Sequence, residues 1–157
     1  MFNGKMEEMM KWFTTSGGFL TVRDGDRINT MTVAWGFIGY LWNKPCFVTL
    51  VRPQRHTQRL LENADSFTVS VPFGTMREEL RICGTKSGAD IDKGASVSFI
   101  PAKNVASPVV DGCDAYYECR INYVDRFDGA MIPESVRNAF YADDYHYVYI
   151  GEIVEAY

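Results

Sequence analysis

The stretch from Asn29 to Arg55 constrains the fold most strongly, because it contains two strand-like segments separated by a turn. In the first segment, bulky residues alternate with small or hydroxylated ones, which predicts a β-strand. Small side chains would admit a flat ligand, or would let a neighbouring sheet or helix pack closely, and the pattern leaves both open. The bulky positions are Met31, Val33, Trp35 and Phe37, and the small ones are Thr30, Thr32, Ala34 and Gly36.

The second segment, residues 46–51, is a predicted strand that follows a turn at residues 43–45 and stops before Pro53. Thr57 is expected to cap a short helix that reaches Asn63. Two arginines, a hydroxyl and a helix N-terminus within six residues form a candidate phosphate site, because arginine binds phosphate oxygens in pairs. The alternative is a solvated turn that is merely basic. The sequence of this turn is Arg52-Pro53-Gln54-Arg55-His56-Thr57.

Composition restricts the class of protein. With 157 residues and a hydrophobic fraction of 46%, the chain suits one domain, residues 1–157, with a substantial core. No apolar run approaches the ~20 residues that a membrane-spanning helix needs. The first residues carry no secretory signal, so we expect a cytoplasmic protein. The net charge of -4 argues against nucleic acid as the main partner.

The potential metal ligands do not form a metal-binding pattern. Four cysteines, at positions 46, 83, 113 and 119, include no C-x-x-C pair, and the chain has two histidines. A zinc site is therefore not expected, and the cysteines are predicted to be free thiols. The segment Asp24-Gly25-Asp26 lacks the remaining ligands of a calcium loop and predicts a turn.

The remaining patterns predict an antiparallel sheet. An N-terminal helix is expected within residues 1–15, where Met6, Met9, Met10 and Phe13 share one face. No regular strand–helix alternation occurs, so about seven strands with short helices predict a mainly β fold, a closed or nearly closed antiparallel β-barrel with peripheral helices. The other predicted strands are 19–23, a half-buried 66–71, 97–100, 109–111, 115–127 and 146–154. The predicted short helices are 57–63 and 76–83, and residues 133–141 form either a helical turn or an insertion.

A loop over residues 83–94 is rich in glycine, hydroxyl groups and charge. Lys86-Ser87 lacks the preceding glycine of a nucleotide-triphosphate loop, so that motif is excluded. Backbone N–H groups near the glycines can still bind an anion or a carbonyl oxygen. An exposed flexible loop is the alternative interpretation.

Three segments, residues 29–36, 52–57 and 83–93, together resemble those of the flavin reductase-like family, in particular its flavoredoxin-type branch. The closing segment from His146 to Ile153 also resembles the last strand of that family. The resemblance runs from about residue 15 to the C-terminus and implies an FMN-binding split β-barrel. It also implies a homodimer with the flavin near the subunit interface.

The resemblance further implies which residues bind the cofactor. Residues implied to line the flavin are Asn29, Thr30, Met31, Thr32 and Trp35. Residues implied to hold its phosphate are Arg52, Arg55 and Thr57. Residues of the loop implied to contact the ring or the ribityl chain are Cys83, Gly84, Thr85, Lys86, Ser87 and Lys93.

The function expected from this resemblance is hydride transfer from NADH or NADPH to FMN, with onward electron delivery. Lys86 and backbone N–H groups of residues 83–88 would stabilise reduced flavin. His146 would orient nicotinamide or serve a structural role, and Cys83 is expected to be a packed thiol. The alternatives are a flavoredoxin-like FMN electron carrier that exchanges electrons with a protein partner, and a non-catalytic flavin-binding module.

Overall fold

The computed structural model describes residues 4–157. These residues form nine strands, four α-helices and two short 3-10 helices. The strands are β1 (Gly18–Asp24), β2 (Arg27–Val33), β3 (Gly36–Leu41), β4 (Lys44–Val51), β5 (Ser66–Val71), β6 (Phe99–Ile100), β7 (Val109–Val110), β8 (Ala115–Arg126) and β9 (Tyr147–Ala156). The α-helices are α1 (Met6–Thr15), α2 (His56–Leu61), α3 (Arg77–Thr85) and α4 (Glu134–Phe140), and the 3-10 helices are Lys93–Ala95 and Gly129–Met131.

Seven strands form one antiparallel sheet in the order β2-β1-β5-β8-β9-β4-β3. The two edge strands, β2 and β3, follow each other in the chain and are linked only by Ala34 and Trp35. Such a link spans at most about 10 Å, so the sheet must curl until its edges lie close together. The edges do not pair, and an open seam remains between them. This arrangement confirms the predicted mainly β antiparallel barrel with peripheral helices.

The core fills the barrel and includes the buried face of α1. Met9 and Phe13 of α1 are fully buried, as the methionine stripe predicted. The ring of Phe13 meets Phe47 of β4 edge-on, with 5.7 Å between ring centroids. Phe67 of β5 belongs to the same cluster, so α1 and both halves of the sheet share one core. The part of the predicted helix that falls on residues 1–3 lies outside the described residues.

The first strand predicted between Asn29 and Arg55 was wrong in its extent, because the alternating pattern predicted one strand as far as Phe37. Pairing stops at Val33 and resumes in β3, because the chain turns away at Ala34 and Trp35. Gly36 then runs so close to β4 that a Cβ atom there would lie 2.4 Å from the Val48 carbonyl oxygen. A side chain cannot occupy that space, so glycine is required at this corner. The turn predicted at residues 43–45 is shifted and occupies Trp42 and Asn43.

Strand β5 is buried on both faces rather than half-buried, because residues 107–110 cover its polar face. Ser66 Oγ donates to Ser107 Oγ over 3.1 Å, and Thr68 Oγ1 donates to the Pro108 carbonyl over 2.6 Å. Hydrogen bonding thus offsets the burial of these hydroxyls. The strand predicted over residues 97–100 is reduced to β6, which pairs only with β7.

The four cysteines are free thiols. Among residues 4–157, no helix is both long and apolar enough to cross a membrane. The same residues contain no group of three or more histidine, cysteine or acidic side chains placed to hold a metal ion.

Candidate functional site

Two clefts adjoin at the seam and share the side chain of Arg55. The first, which we call the basic cleft, is lined by Asn29, Gln54, Arg55, His56, Thr57, Thr85, Lys86, Ser87, Gly88 and Lys93. The second, which we call the seam cleft, is lined by Met31, Thr32, Val33, Ala34, Trp35, Leu50, Arg52, Arg55 and His146. Twelve of the fifteen residues predicted for the site therefore line one cleft or both.

Arg55 and Lys93 carry the positive charge of the basic cleft and are held by backbone carbonyls. The Arg55 guanidinium donates to the carbonyls of Gly84 and Cys83 over 3.1 and 3.2 Å. Lys93, only 3% exposed, donates from Nζ to the carbonyls of Thr30 and Cys83 over 2.8 and 3.1 Å. Burial lowers the pKa of Lys93 to about 8, and the charge of Arg55 adds to this effect.

No carboxylate neutralises these cations within residues 4–157. The four ion pairs found there join Arg27 to Asp24, Lys44 to Glu152, Arg52 to Asp144 and Arg81 to Glu78. Arg55, Lys86 and Lys93 belong to none of them. Buried cations are normally paired with an anion, so an unpaired set around a cleft indicates an anion-binding site.

Asn29 and Thr57 join β2 to α2 at the floor of the basic cleft. Asn29 Nδ2 donates to Thr57 Oγ1 over 2.8 Å, and both side chains are buried. The predicted capping role of Thr57 was wrong, because α2 begins at His56 and Thr57 lies inside it. Gly88 closes the cleft over Asn29, since a Cβ atom at Gly88 would lie 2.1 Å from Asn29 Oδ1. The loop can approach this closely only with glycine.

Arg52 lines the seam cleft and not the basic cleft. It therefore lies apart from Arg55 and Thr57, the other two residues predicted to hold the phosphate, where they line the basic cleft. Its guanidinium pairs with Asp144 over 2.8 Å and donates to the Phe140 carbonyl over 2.9 Å. Hydrogen bonds from the Ala142 N–H, from Gln54 and from Arg52 hold the pKa of Asp144 below its usual range. Arg52 is therefore neutralised by Asp144, and its contacts hold residues 140–144 against the end of β4.

His146 and Trp35 form the wall of the seam cleft. His146 is 5% exposed, and its Nδ1 shares a hydrogen bond of 2.7 Å with the Tyr141 hydroxyl. Burial, with a contribution from Arg52, lowers the pKa of His146 to about 4, so the ring is neutral at pH 7. Trp35 is 43% exposed and lies with its ring centroid 5.4 Å from that of His146. Nε2 of His146 has no hydrogen-bond partner in residues 4–157 and remains available to a ligand.

Three predicted site residues lie outside both clefts. Thr30 and Cys83 are fully buried, and a ligand could reach them only through neighbouring backbone groups. Gly84 packs against Thr32, where a Cβ atom would lie 3.2 Å from the Thr32 Cβ atom. Burial raises the pKa of the Cys83 thiol, in agreement with a packed rather than a reactive cysteine. The predicted loop also begins later than expected, because α3 continues to residue 85.

Some lining residues escaped the sequence analysis. His56 and Gln54 lie within the predicted phosphate turn and could have been found by treating the turn as one unit. Gly88 gives a weaker signal, because a glycine between polar residues is common in loops. Leu50 gives none, since its position at the seam depends on the strand order, which one sequence does not reveal.

Comparison with known proteins decides the family. The family model described as the flavin reductase like domain matches residues 9–157. The chain belongs to this family. The match confirms the resemblance drawn from the three sequence segments, and it covers all strands of the barrel.

Two curated relatives are themselves uncharacterized proteins. One, from Pyrococcus abyssi, is 30% identical over 98 residues, which cover 62% of this chain and 56% of the relative. The other, from Archaeoglobus fulgidus, is 25% identical over 115 residues, which cover 72% of this chain and 64% of the relative. The chain thus spans less than two thirds of either relative.

Solved structures with the same fold include several flavin proteins. The flavoredoxin of Methanosarcina acetivorans is 22% identical, with a TM-score of 0.74 over 90% of this chain and 67% of that one. The FMN-binding protein of Thermus thermophilus, with bound p-hydroxybenzaldehyde, is 25% identical, with a TM-score of 0.72 and coverages of 90% and 70%. The NADH:FAD oxidoreductase SgcE6 of Streptomyces globisporus, in complex with NAD and FAD fragments, is 20% identical, with a TM-score of 0.69 and coverages of 90% and 74%.

Proposed function

We propose that this chain binds FMN across the two clefts and transfers reducing equivalents from NADH or NADPH through it to an acceptor. One observation carries the proposal: Arg55 joins a cleft lined by unpaired cations to a mainly apolar cleft at the barrel seam. FMN has the matching shape, with a phosphate at one end and a planar ring system at the other. The FMN-binding protein and flavoredoxins of similar fold support the same assignment.

The basic cleft fits the phosphate group. A phosphate monoester carries about -1.5 to -2 charges near pH 7. Arg55, Lys86 and Lys93 would neutralise it, and arginine presents two parallel donors to phosphate oxygens. His56 lines the same cleft, and its Nδ1 atom is buried without a partner in residues 4–157.

The seam cleft fits the ring system. Met31, Val33, Ala34 and Leu50 give it an apolar lining, and Trp35 adds an aromatic wall. Strand β2 is an edge strand, so its outer backbone N–H and C=O groups face the seam without strand partners. These groups would hydrogen-bond the polar edge of the ring.

When bound, FMN would supply the hydride-accepting and electron-donating chemistry, while the protein would bind, orient and shield it. Arg55 and Lys93 would fix the phosphate end and thereby set the position of the ring. His146 would offer Nε2 to a nicotinamide, because its Nδ1 is already bonded to Tyr141. Lys86 lines the basic cleft, which favours a phosphate contact over the predicted contact with the ring.

We further propose a homodimer in which a second copy covers exposed apolar side chains, including Phe140 beside the seam. Met131 is 82% exposed, and Phe37, Tyr123 and Phe140 are also exposed. Phe140 meets Trp35 edge-on at 5.3 Å between centroids, so a partner on this surface would also close the seam cleft. Light scattering that gives the mass of a monomer would contradict the dimer. The cytoplasmic location stays a prediction.

Flavin titration tests the binding part of the proposal. We expect the protein to bind FMN at least tenfold more tightly than riboflavin, which lacks the phosphate. A binding free energy of about 1.4 kcal/mol from the phosphate contacts corresponds to this factor of ten. Quenching of flavin fluorescence would report both affinities. Equal affinities would contradict the phosphate assignment, and binding of neither flavin would contradict the flavin site itself.

The second candidate is a flavoredoxin-like electron carrier without a nicotinamide site. The observation that favours this candidate is the edge-on contact of Phe140 with Trp35 at the seam. Both rings are exposed, and a protein partner packed against them would exchange electrons with the flavin in place of a dinucleotide. A non-catalytic flavin-binding module would share the same clefts but would show no turnover.

A further inference from the structure

His56 brings a titratable imidazole to the basic cleft. It is the first residue of α2, and its side chain lies against the glycine of the loop that closes the cleft. A Cβ atom at Gly88 would lie 2.9 Å from the His56 Cδ2 atom. Nδ1 is buried and lacks a partner in residues 4–157, so the ring lies at the cleft with one nitrogen unsatisfied.

The charges around His56 are all positive. No carboxylate is among the residues that line the cleft. Burial lowers the pKa of His56, and the neighbouring cations lower it further, so the ring is neutral at pH 7 without a ligand. The cations that act on the ring or line the same cleft are Arg27 of β2, Arg55, Arg59 of α2, Lys86 of the loop and Lys93 of the first 3-10 helix.

We propose that His56 is a ligand of the FMN phosphate and that it takes up a proton from solvent when the phosphate enters the cleft. This inference rests on the proposed function. A phosphate brings about -1.5 to -2 charges into a field that is otherwise positive, which reverses the electrostatic preference of the ring. A protonated ring carries an N–H on both nitrogens, so it can present a charge-assisted donor to the phosphate oxygens.

The proposal fixes the direction of the pH dependence. A group that is protonated in the complex and neutral in the free protein strengthens binding below its pKa in the complex, and this contribution is lost as the pH rises through that value. The phosphate itself ionises with a second pKa of about 6, so the change that its own ionisation causes in FMN affinity lies mostly below that pH. Riboflavin lacks the phosphate and should show no contribution from His56.

Proton NMR of the histidine rings tests the proposal directly, because the chain has only two histidines, His56 and His146. The signals can be assigned with the His146→Gln variant. We expect the pKa of His56 to rise by about one unit or more between the free protein and the FMN complex, which corresponds to about tenfold tighter binding to the protonated form. An unchanged pKa in the FMN complex, or an equal rise with riboflavin, would overturn the proposal.

A variant gives a second readout. In His56→Gln, the ratio of FMN to riboflavin affinity should fall about tenfold near pH 6.5 but only about twofold near pH 8.5. Asn63→Ala is the control, because Asn63 is exposed just after α2 and lines neither cleft, and it should leave the pH dependence of this ratio unchanged. Failure of the parent protein to bind either flavin would refute the proposed function and this inference together. Binding of both flavins, with a His56 pKa that is the same in the free protein and in the FMN complex, would refute this inference alone.

Discussion

Replacing Arg55 by alanine is expected to weaken FMN binding by about ten- to a hundredfold, since hydrogen bonds to charged groups contribute about 1.5–3 kcal/mol. Arg55 is the one side chain that lines both clefts, and no carboxylate in residues 4–157 competes for its charge. Riboflavin binding should change by about twofold or less, because the lost interaction is with the phosphate. Fluorescence titration with both flavins measures the two effects.

Two controls separate charge from structure. Arg55 also holds the carbonyls of Gly84 and Cys83, so its loss could loosen the end of α3. An equal weakening of FMN and riboflavin binding would reveal that structural effect and contradict the phosphate role. Arg59→Ala is the matched control, because Arg59 lies one turn later on α2 and is exposed. It should change FMN affinity by about twofold or less, as expected of an exposed, screened charge.

Replacing Ala34 by leucine is expected to weaken FMN and riboflavin binding alike, by about tenfold or more. Ala34 lies in the two-residue link between β2 and β3 and lines the seam cleft, where the larger side chain would occupy the space proposed for the ring. A steric clash costs about 1–3 kcal/mol, and more when the surrounding strands cannot move apart. The equal loss for both flavins distinguishes this variant from Arg55→Ala.

The leucine variant needs a check on folding. Ala106→Leu is the matched control, because Ala106 is exposed in the connection between β6 and β7 and lines neither cleft. Both variants should keep the melting temperature of the parent within a few degrees. Full flavin occupancy in Ala34→Leu would show that the ring does not enter the seam cleft.

Sequence patterns predicted most strands because each strand carries its own local signal. The alternation in β2 and in β8 and the turn between β1 and β2 were all visible along the chain. The break at Ala34 and Trp35 was missed, because alternation continues through it without a proline or an obvious turn residue. The close contact that requires Gly36 involves Val48, which only the folded sheet brings alongside.

The basic cleft was more predictable than the seam cleft. Asn29, Arg55, Thr57 and Lys93 come from segments with recognisable polar patterns, and the fold brings them together. The seam cleft depends on which strands form the edges of the sheet, and a single sequence does not give strand order. Arg52 illustrates this limit, since its pairing with Asp144 joins residues that are 92 positions apart.

Anaerobic reduction of the bound flavin tests the central claim most directly. The protein would be loaded with FMN, freed of excess flavin and mixed with NADH or NADPH while the visible absorbance of the flavin is followed. Rapid bleaching by at least one of the two donors is the predicted result, and it would establish both the flavin site and access of a nicotinamide to it. Retained FMN that neither donor bleaches would contradict the proposed reductase activity and favour the electron carrier or the binding module.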